Sequence, residues 1–336
     1  MTLRIYRSTD TGAPTRGALT GAPVNMLRQI LRACLVDGYG SKPAAGWSIV
    51  DEGSGGFSIT NGPATGIINF WMPVVSNWYY PIVIYLAESC TGSTNGKITG
   101  DNLRSGPWSA ANPVSARHLI FPSYGPFAAE LGSIHWTLIA DERTAIFLLN
   151  SRVAASADRN SDLFLYMGEI DSPLSGPARF VVSGGSNSYA ETDNINNFSA
   201  AAFGPFGRGY TALRNLNTGL IQPGLIELYP VELTLAGGSF TPDMPADCMF
   251  GNRLTFAQAK IYTGTAAGNG FAGFFRGVLI EPSLIYWSWL TAMSALGLQR
   301  ADDSAGTFVG PPGDAVALFC GRGVNTFFVT DNPAYW

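Results

Sequence analysis

The stretch Ile134-His135-Trp136-Thr137-Leu138-Ile139-Ala140-Asp141-Glu142-Arg143-Thr144-Ala145-Ile146-Phe147-Leu148-Leu149 decides the fold class. Two apolar runs rich in β-branched and aromatic residues flank a short charged turn. That pattern predicts a β-hairpin whose register the short loop fixes.

Outward from this hairpin the chain keeps the same grammar. Its 40 glycines and 21 prolines divide 336 residues into segments mostly too short for helices,. Strands are predicted at Leu3–Arg7, Gly66–Met72, Ile82–Glu88, Ile134–Ala140, Thr144–Leu149, Leu163–Glu169 and Arg179–Ser183,. More follow at Leu225–Leu235, Leu254–Tyr262, Phe274–Ile280, Ala315–Phe319 and Thr326–Thr330.

One segment follows a helical period instead. Val24, Leu27, Ile30, Leu31, Cys34 and Leu35 form a stripe, with Arg28, Gln29 and Arg32 opposite, which predicts an amphipathic helix over 24–35,. Pro23 suits its first turn and Gly38 a left-handed cap beyond its end. The expected fold is therefore mainly β, an antiparallel β-sandwich or barrel-like domain with one N-terminal amphipathic helix. Residues 1–183 form a β-rich part, 184–224 an extended loop or arm, and 225–336 a second β-rich part packed with the first as one unit.

Charged residues make up only 13% of the chain, about half the usual share for a soluble domain, against 46% hydrophobic residues,. A surface so poor in charge leaves patches that usually become contacts with a partner. The longest apolar runs fall far short of the roughly 20 residues that span a bilayer, and the N-terminus lacks the apolar core of a secretion signal. With net charge −4 and no basic stripe, direct nucleic-acid binding is not expected,. Cys34, Cys90, Cys248 and Cys320 are widely spaced without a nearby histidine, so buried free thiols are expected in place of a zinc or redox site,.

Chemical motifs are weak. His118 and His135 are the only histidines, and the second sits in a strand-like alternation, which favours a structural role,. Glu169 and Asp171 share a strand face as a glycosidase pair would, but carboxylates at a strand end are usually solvated. Gly268-Asn269-Gly270-Phe271-Ala272-Gly273 has dinucleotide-fingerprint spacing, yet Phe274–Ile280 reads as a strand where the mechanism needs a helix. A glycine-rich loop between strands suffices. Asn197-Phe198-Ser199 is a formal glycosylation acceptor without a secretion context. No catalytic residue, cofactor site or metal site is expected. Aromatic clusters containing Phe70, Trp71, Trp78, Tyr79 and Trp287 fit either core or subunit contacts, or a sugar platform on a receptor-binding or fibre-anchoring module.

The N-terminal stretch Tyr6-Arg7-Ser8-Thr9-Asp10-Thr11-Gly12-Ala13-Pro14, the helix, and Leu35-Val36-Asp37-Gly38-Tyr39-Gly40-Ser41-Lys42-Pro43-Ala44-Ala45-Gly46-Trp47 together resemble the start of uncharacterised virion structural proteins of tailed bacteriophages. In that family a short strand, an S-T-D-x-x-A-P turn, a helix ending in G-Y-G, and G-W opening the next strand follow in order. The resemblance weakens in the middle of the chain and at Gly53-Ser54-Gly55-Gly56. It implies a structural subunit of the tail, neck, collar or baseplate, located in the virion and assembled in the host cytoplasm. Its implied partners are other virion proteins and further copies of itself, and it carries no catalytic residue. Read physically, Ser8, Asp10, Pro14, Gly38, Tyr39, Gly40 and Trp47 are fold determinants. Asp10 is expected to accept from following backbone amides, the glycines to give backbone freedom around Tyr39, and Trp47 to bury against the helix stripe.

Overall fold

The computed structural model describes residues 2–14, 23–62, 66–72, 82–101, 119–121, 135–150, 163–173, 179–186, 209–214, 221–227, 257–265, 268–280, 299–300, 307–309, 315–320 and 326–336. The quoted hairpin is its centre: β9 (His135–Ala140) and β10 (Thr144–Asn150) pair antiparallel with Ala145 opposite Ala140. Asp141 builds the turn, its Oδ1 accepting from the amides of Arg143 and Thr144, each at 2.8 Å,.

Around that hairpin an antiparallel ladder grows in both directions. β1 (Arg4–Arg7) pairs with β9, and β11 (Leu163–Glu169) with β10. Then follow β12 (Phe180–Ser186), β13 (Gly209–Arg214), β14 (Ile221–Glu227), β15 (Ala257–Thr265), β16 (Gly268–Ile280), β20 (Thr326–Thr330), β19 (Ala315–Cys320), β18 (Thr307–Val309) and β17 (Gln299–Arg300). A second sheet contains β2 (Ser48–Gly53), β3 (Gly56–Thr60), β4 (Ile67–Trp71), β5 (Ile82–Ala87) and β8 (Leu119–Phe121), and a small hairpin joins β6 (Gly92–Thr94) to β7 (Lys97–Thr99).

Both faces of the central strands are buried. Leu138, Ala140, Ala145 and Phe147 face a core shared with the second sheet, whereas Ile139, Ile146 and Leu148 face Ile261, Phe275, Val278 and Val329 of the C-terminal strands. A strand covered on both sides has no polar face to show, which explains the continuous apolar runs. The architecture is mainly β and sandwich-like. Among the described residues, β1 and β17 end the ladder without pairing to each other, so no barrel closes.

The α-helix α1 spans Pro23–Arg32 and continues as a π-helical turn over Ala33–Asp37. Its stripe, from Val24 to Leu35, is buried in the core between the sheets. Its other side ties down β2: Arg28 Nη1 donates to the Gly53 carbonyl at 3.1 Å, and Arg32 pairs with Glu52 and Asp37. None of the described helices is long and apolar enough to cross a membrane.

Two expectations are corrected. The stretch 184–224 is not wholly a loop or arm, since β12 runs on to Ser186, β13 lies within it, and β14 begins at Ile221. Small and polar residues such as Ser183, Gly184 and Thr211 pair there through backbone hydrogen bonds, with a register shift between Gly184 and Ser186, so no apolar period announces them,. The glycine-rich segment from Gly268 to Gly273 is likewise strand, the first half of β16 paired to β15, instead of a connecting loop. Of the predicted Leu225–Leu235 and Leu254–Tyr262, residues 228–235 and 254–256 lie outside the described residues.

Candidate functional site

The N-terminal motif closes on itself. After β1 the chain turns at Arg7–Asp10, and Asp10 Oδ2 accepts from the Arg7 amide at 2.8 Å and from the Tyr39 hydroxyl at 2.9 Å, with the Lys42 ammonium at 3.6 Å. The amide bonded is thus a preceding one, not a following one as expected, because the turn folds residue 10 back onto the strand end. Ser8 donates its amide to the Trp136 carbonyl at 2.9 Å and accepts from the Trp136 amide at its Oγ. The Pro14 carbonyl accepts from Trp136 Nε1 at 3.3 Å.

Gly38, Tyr39 and Gly40 form the other half. Tyr39 and Lys42 exchange backbone hydrogen bonds across a tight turn. Gly38 (φ +80°) and Gly40 (φ +53°) both take left-handed backbone, and a Cβ on Gly40 would stand 2.4 Å from the Thr11 carbonyl oxygen,. The Tyr39 ring lies between those of Tyr6 and Trp136, at centroid distances of 5.8 and 6.4 Å. Burial, and then the bond to the Asp10 carboxylate, push the Tyr39 phenol well above its ordinary value,. Tyr39→Phe removes a hydroxyl whose partner keeps the Arg7 amide, so a loss of about 1 kcal/mol in urea unfolding is expected. Gly40→Val is expected to cost more, since the turn has no room for any side chain.

Trp47 immediately precedes β2. It is buried against the helix stripe, and its Nε1 donates to the Asp141 carbonyl at 3.0 Å, tying helix, second sheet and central hairpin together.

The Asp141 carboxylate anchors a second cluster. Arg276, on β16, is fully buried, and its guanidinium donates to Asp141 Oδ2 at 2.6 Å, to Asp141 Oδ1 at 3.1 Å and to Thr144 Oγ1 at 2.7 Å. The Arg276 amide donates to the Tyr166 hydroxyl at 3.2 Å, which itself donates to the Glu169 carbonyl at 2.6 Å. The Trp336 ring lies 5.8 Å from the guanidinium,. Burial would raise the Asp141 carboxyl, but hydrogen bonds and charge from Arg276 outweigh it and hold the group below its ordinary value,.

Glu169 and Asp171 each lie beside an arginine. Glu169 ends β11 and binds Arg143 through Oε2 at 2.8 Å, whereas Asp171 lies beyond the strand with Arg276 Nε at 3.6 Å. Arg276 was legible as a lone charge inside the apolar run from Phe274 to Ile280, but its partner, 135 residues away, was not.

Cys34 is a buried free thiol, pushed well up by burial, and Cys90 is free and half-buried. Among the described residues no group of three or more His, Cys, Asp or Glu side chains is placed to hold a metal ion. Trp78, Tyr79 and Trp287, with His118 and Asn197-Phe198-Ser199, lie outside the described residues. No protein-family model matches the chain, and no curated protein matches it in sequence.

Proposed function

We propose that this chain is a structural subunit of a tailed-bacteriophage virion, in the tail or the head–tail neck or collar, acting through contacts with neighbouring virion proteins and with copies of itself. The observation that carries the reading is the N-terminal motif, from the strand-end turn at Ser8–Pro14 to Trp47, which resembles the opening of such proteins. Its side chains are engaged in internal hydrogen bonds and ring packing, the use expected of a fold signature. The low charge of the chain supports the reading independently, because an interface with few charges avoids the cost of desolvating them,.

Light scattering on the purified chain, with negative-stain images of the same sample, tests it. A closed ring, or a monomer that assembles when a neighbouring virion protein is added, is expected. A monomer that stays inert to virion proteins and binds cell-surface polysaccharide would replace this reading with a receptor-binding one.

A further inference from the structure

The β6–β7 hairpin lies on the outer face of the second sheet without joining its ladder. Asn95 (φ +52°) and Gly96 (φ +81°) make its two-residue turn, the backbone combination that matches strand twist,. The turn is seated in a notch of glycines: a Cβ on Gly96 would fall 2.2 Å from the Gly56 amide nitrogen, and one on Gly55 would fall 2.5 Å from the Asn95 carbonyl oxygen. This accounts for the glycines of Gly53-Ser54-Gly55-Gly56.

Side chains fasten the hairpin from both layers. Ile98 is its buried apolar residue. The Lys97 ammonium stands 4.7 Å from the Trp71 ring centre and 4.9 Å from that of Tyr85,. Asn69, beneath, donates to the Gly96 carbonyl at 2.8 Å and accepts from the Ile98 amide at 3.4 Å. The base is closed on itself, with the Glu88 amide on the Asp101 carbonyl, Ser89 Oγ on Asp101 Oδ2 at 2.8 Å, and the Thr91 amide on the Thr99 carbonyl.

The covered face carries buried polar groups beside the Trp71 and Tyr85 rings. Ser58 and Asn69 are fully buried, and opposite Ser58 the buried Asp51 Oδ2 has no hydrogen-bond partner among the described residues,. We infer that residues Glu88–Asp101 form a hinged flap that opens as a unit about its closed base, uncovering the Asn69, Trp71 and Tyr85 face while the two-sheet core stays folded. Opening unseats the Gly96 turn from its notch and parts Ile98, Lys97 and Asn69 from their partners across the flap, whereas separating the sheets would expose the large core cluster between them,.

Native-state hydrogen exchange on the unmodified chain tests this. The Ile98 amide bonds to the body through Asn69, so it reports opening, and the Phe147 amide in the central hairpin reports global unfolding. Ile98 is expected to be protected less than Phe147 by on the order of 100-fold, with a weaker dependence on urea. Lys97→Gln is expected to speed exchange at Ile98 several-fold and leave Phe147 unchanged. Equal protection and equal urea dependence at the two amides, or an equal response of both to Lys97→Gln, would overturn the flap.

Discussion

Arg276→Met is expected to lower the free energy of unfolding by about 3–5 kcal/mol, because it leaves the buried Asp141 carboxylate without its counter-charge. The methylene stem is replaced closely in volume, so the loss reports the charge and its hydrogen bonds. Asp141→Asn strands the guanidinium instead and is expected to cost a similar amount. In the double variant no buried charge remains, and the amide oxygen introduced by Asp141→Asn still accepts from the amides of Arg143 and Thr144. The double variant is therefore expected to be clearly more stable than the sum of the two single losses predicts. Simple additivity in urea unfolding would show that the pair is not coupled. The acid side gives a second readout. Because the folded Asp141 carboxyl titrates below its ordinary 3.8, its contribution is present above that value and fades as pH falls through the folded value,. Acid unfolding of the unmodified chain should steepen in that window, and Asp141→Asn should flatten it.

Trp47→Ala is expected to cost about 3–5 kcal/mol, the usual range for emptying a large aromatic from a packed core. Trp47 touches the helix stripe and bonds the Asp141 carbonyl, so the cavity would open where helix, second sheet and central hairpin meet. Trp47→Phe keeps most of the ring area and gives up the indole bond, leaving a loss of about 1 kcal/mol beyond the smaller volume. A loss below about 1 kcal/mol for Trp47→Ala, measured by urea midpoint, would mean that the helix is fastened elsewhere.

Local patterns carried much of the fold. Apolar runs around a charged turn led to β9 and β10, and the stripe from Val24 to Leu35 led to the helix. The π-helical turn that ends the helix was not legible, because a one-residue change of hydrogen-bond step leaves the apolar spacing almost unaltered. Nor was the β6–β7 hairpin, although Asn95-Gly96 is a strong turn signal, because its strands are three residues each and show one apolar side chain, Ile98. At the motif, Asp10 was readable as a turn residue and the two glycines as backbone freedom around Tyr39, but the bond joining Tyr39 to Asp10 was not. The direction of the Asp10 bond was not, since it depends on how the turn folds back.

By itself the sequence determined a β-rich, charge-poor chain with one amphipathic helix and an N-terminal turn motif, because periodicity, glycine spacing and composition are local quantities. Only the tertiary structure decided that the central strands are covered on both faces, that Arg276 meets Asp141 across 135 positions, and that Gly96 seats in the notch at Gly53–Gly56. A buried charge is tolerated only where a distant partner is brought to hydrogen-bond range, and two backbones meet so closely only where neither bears a side chain. Both conditions belong to pairs of residues far apart in the chain, and such pairs are joined by the fold alone.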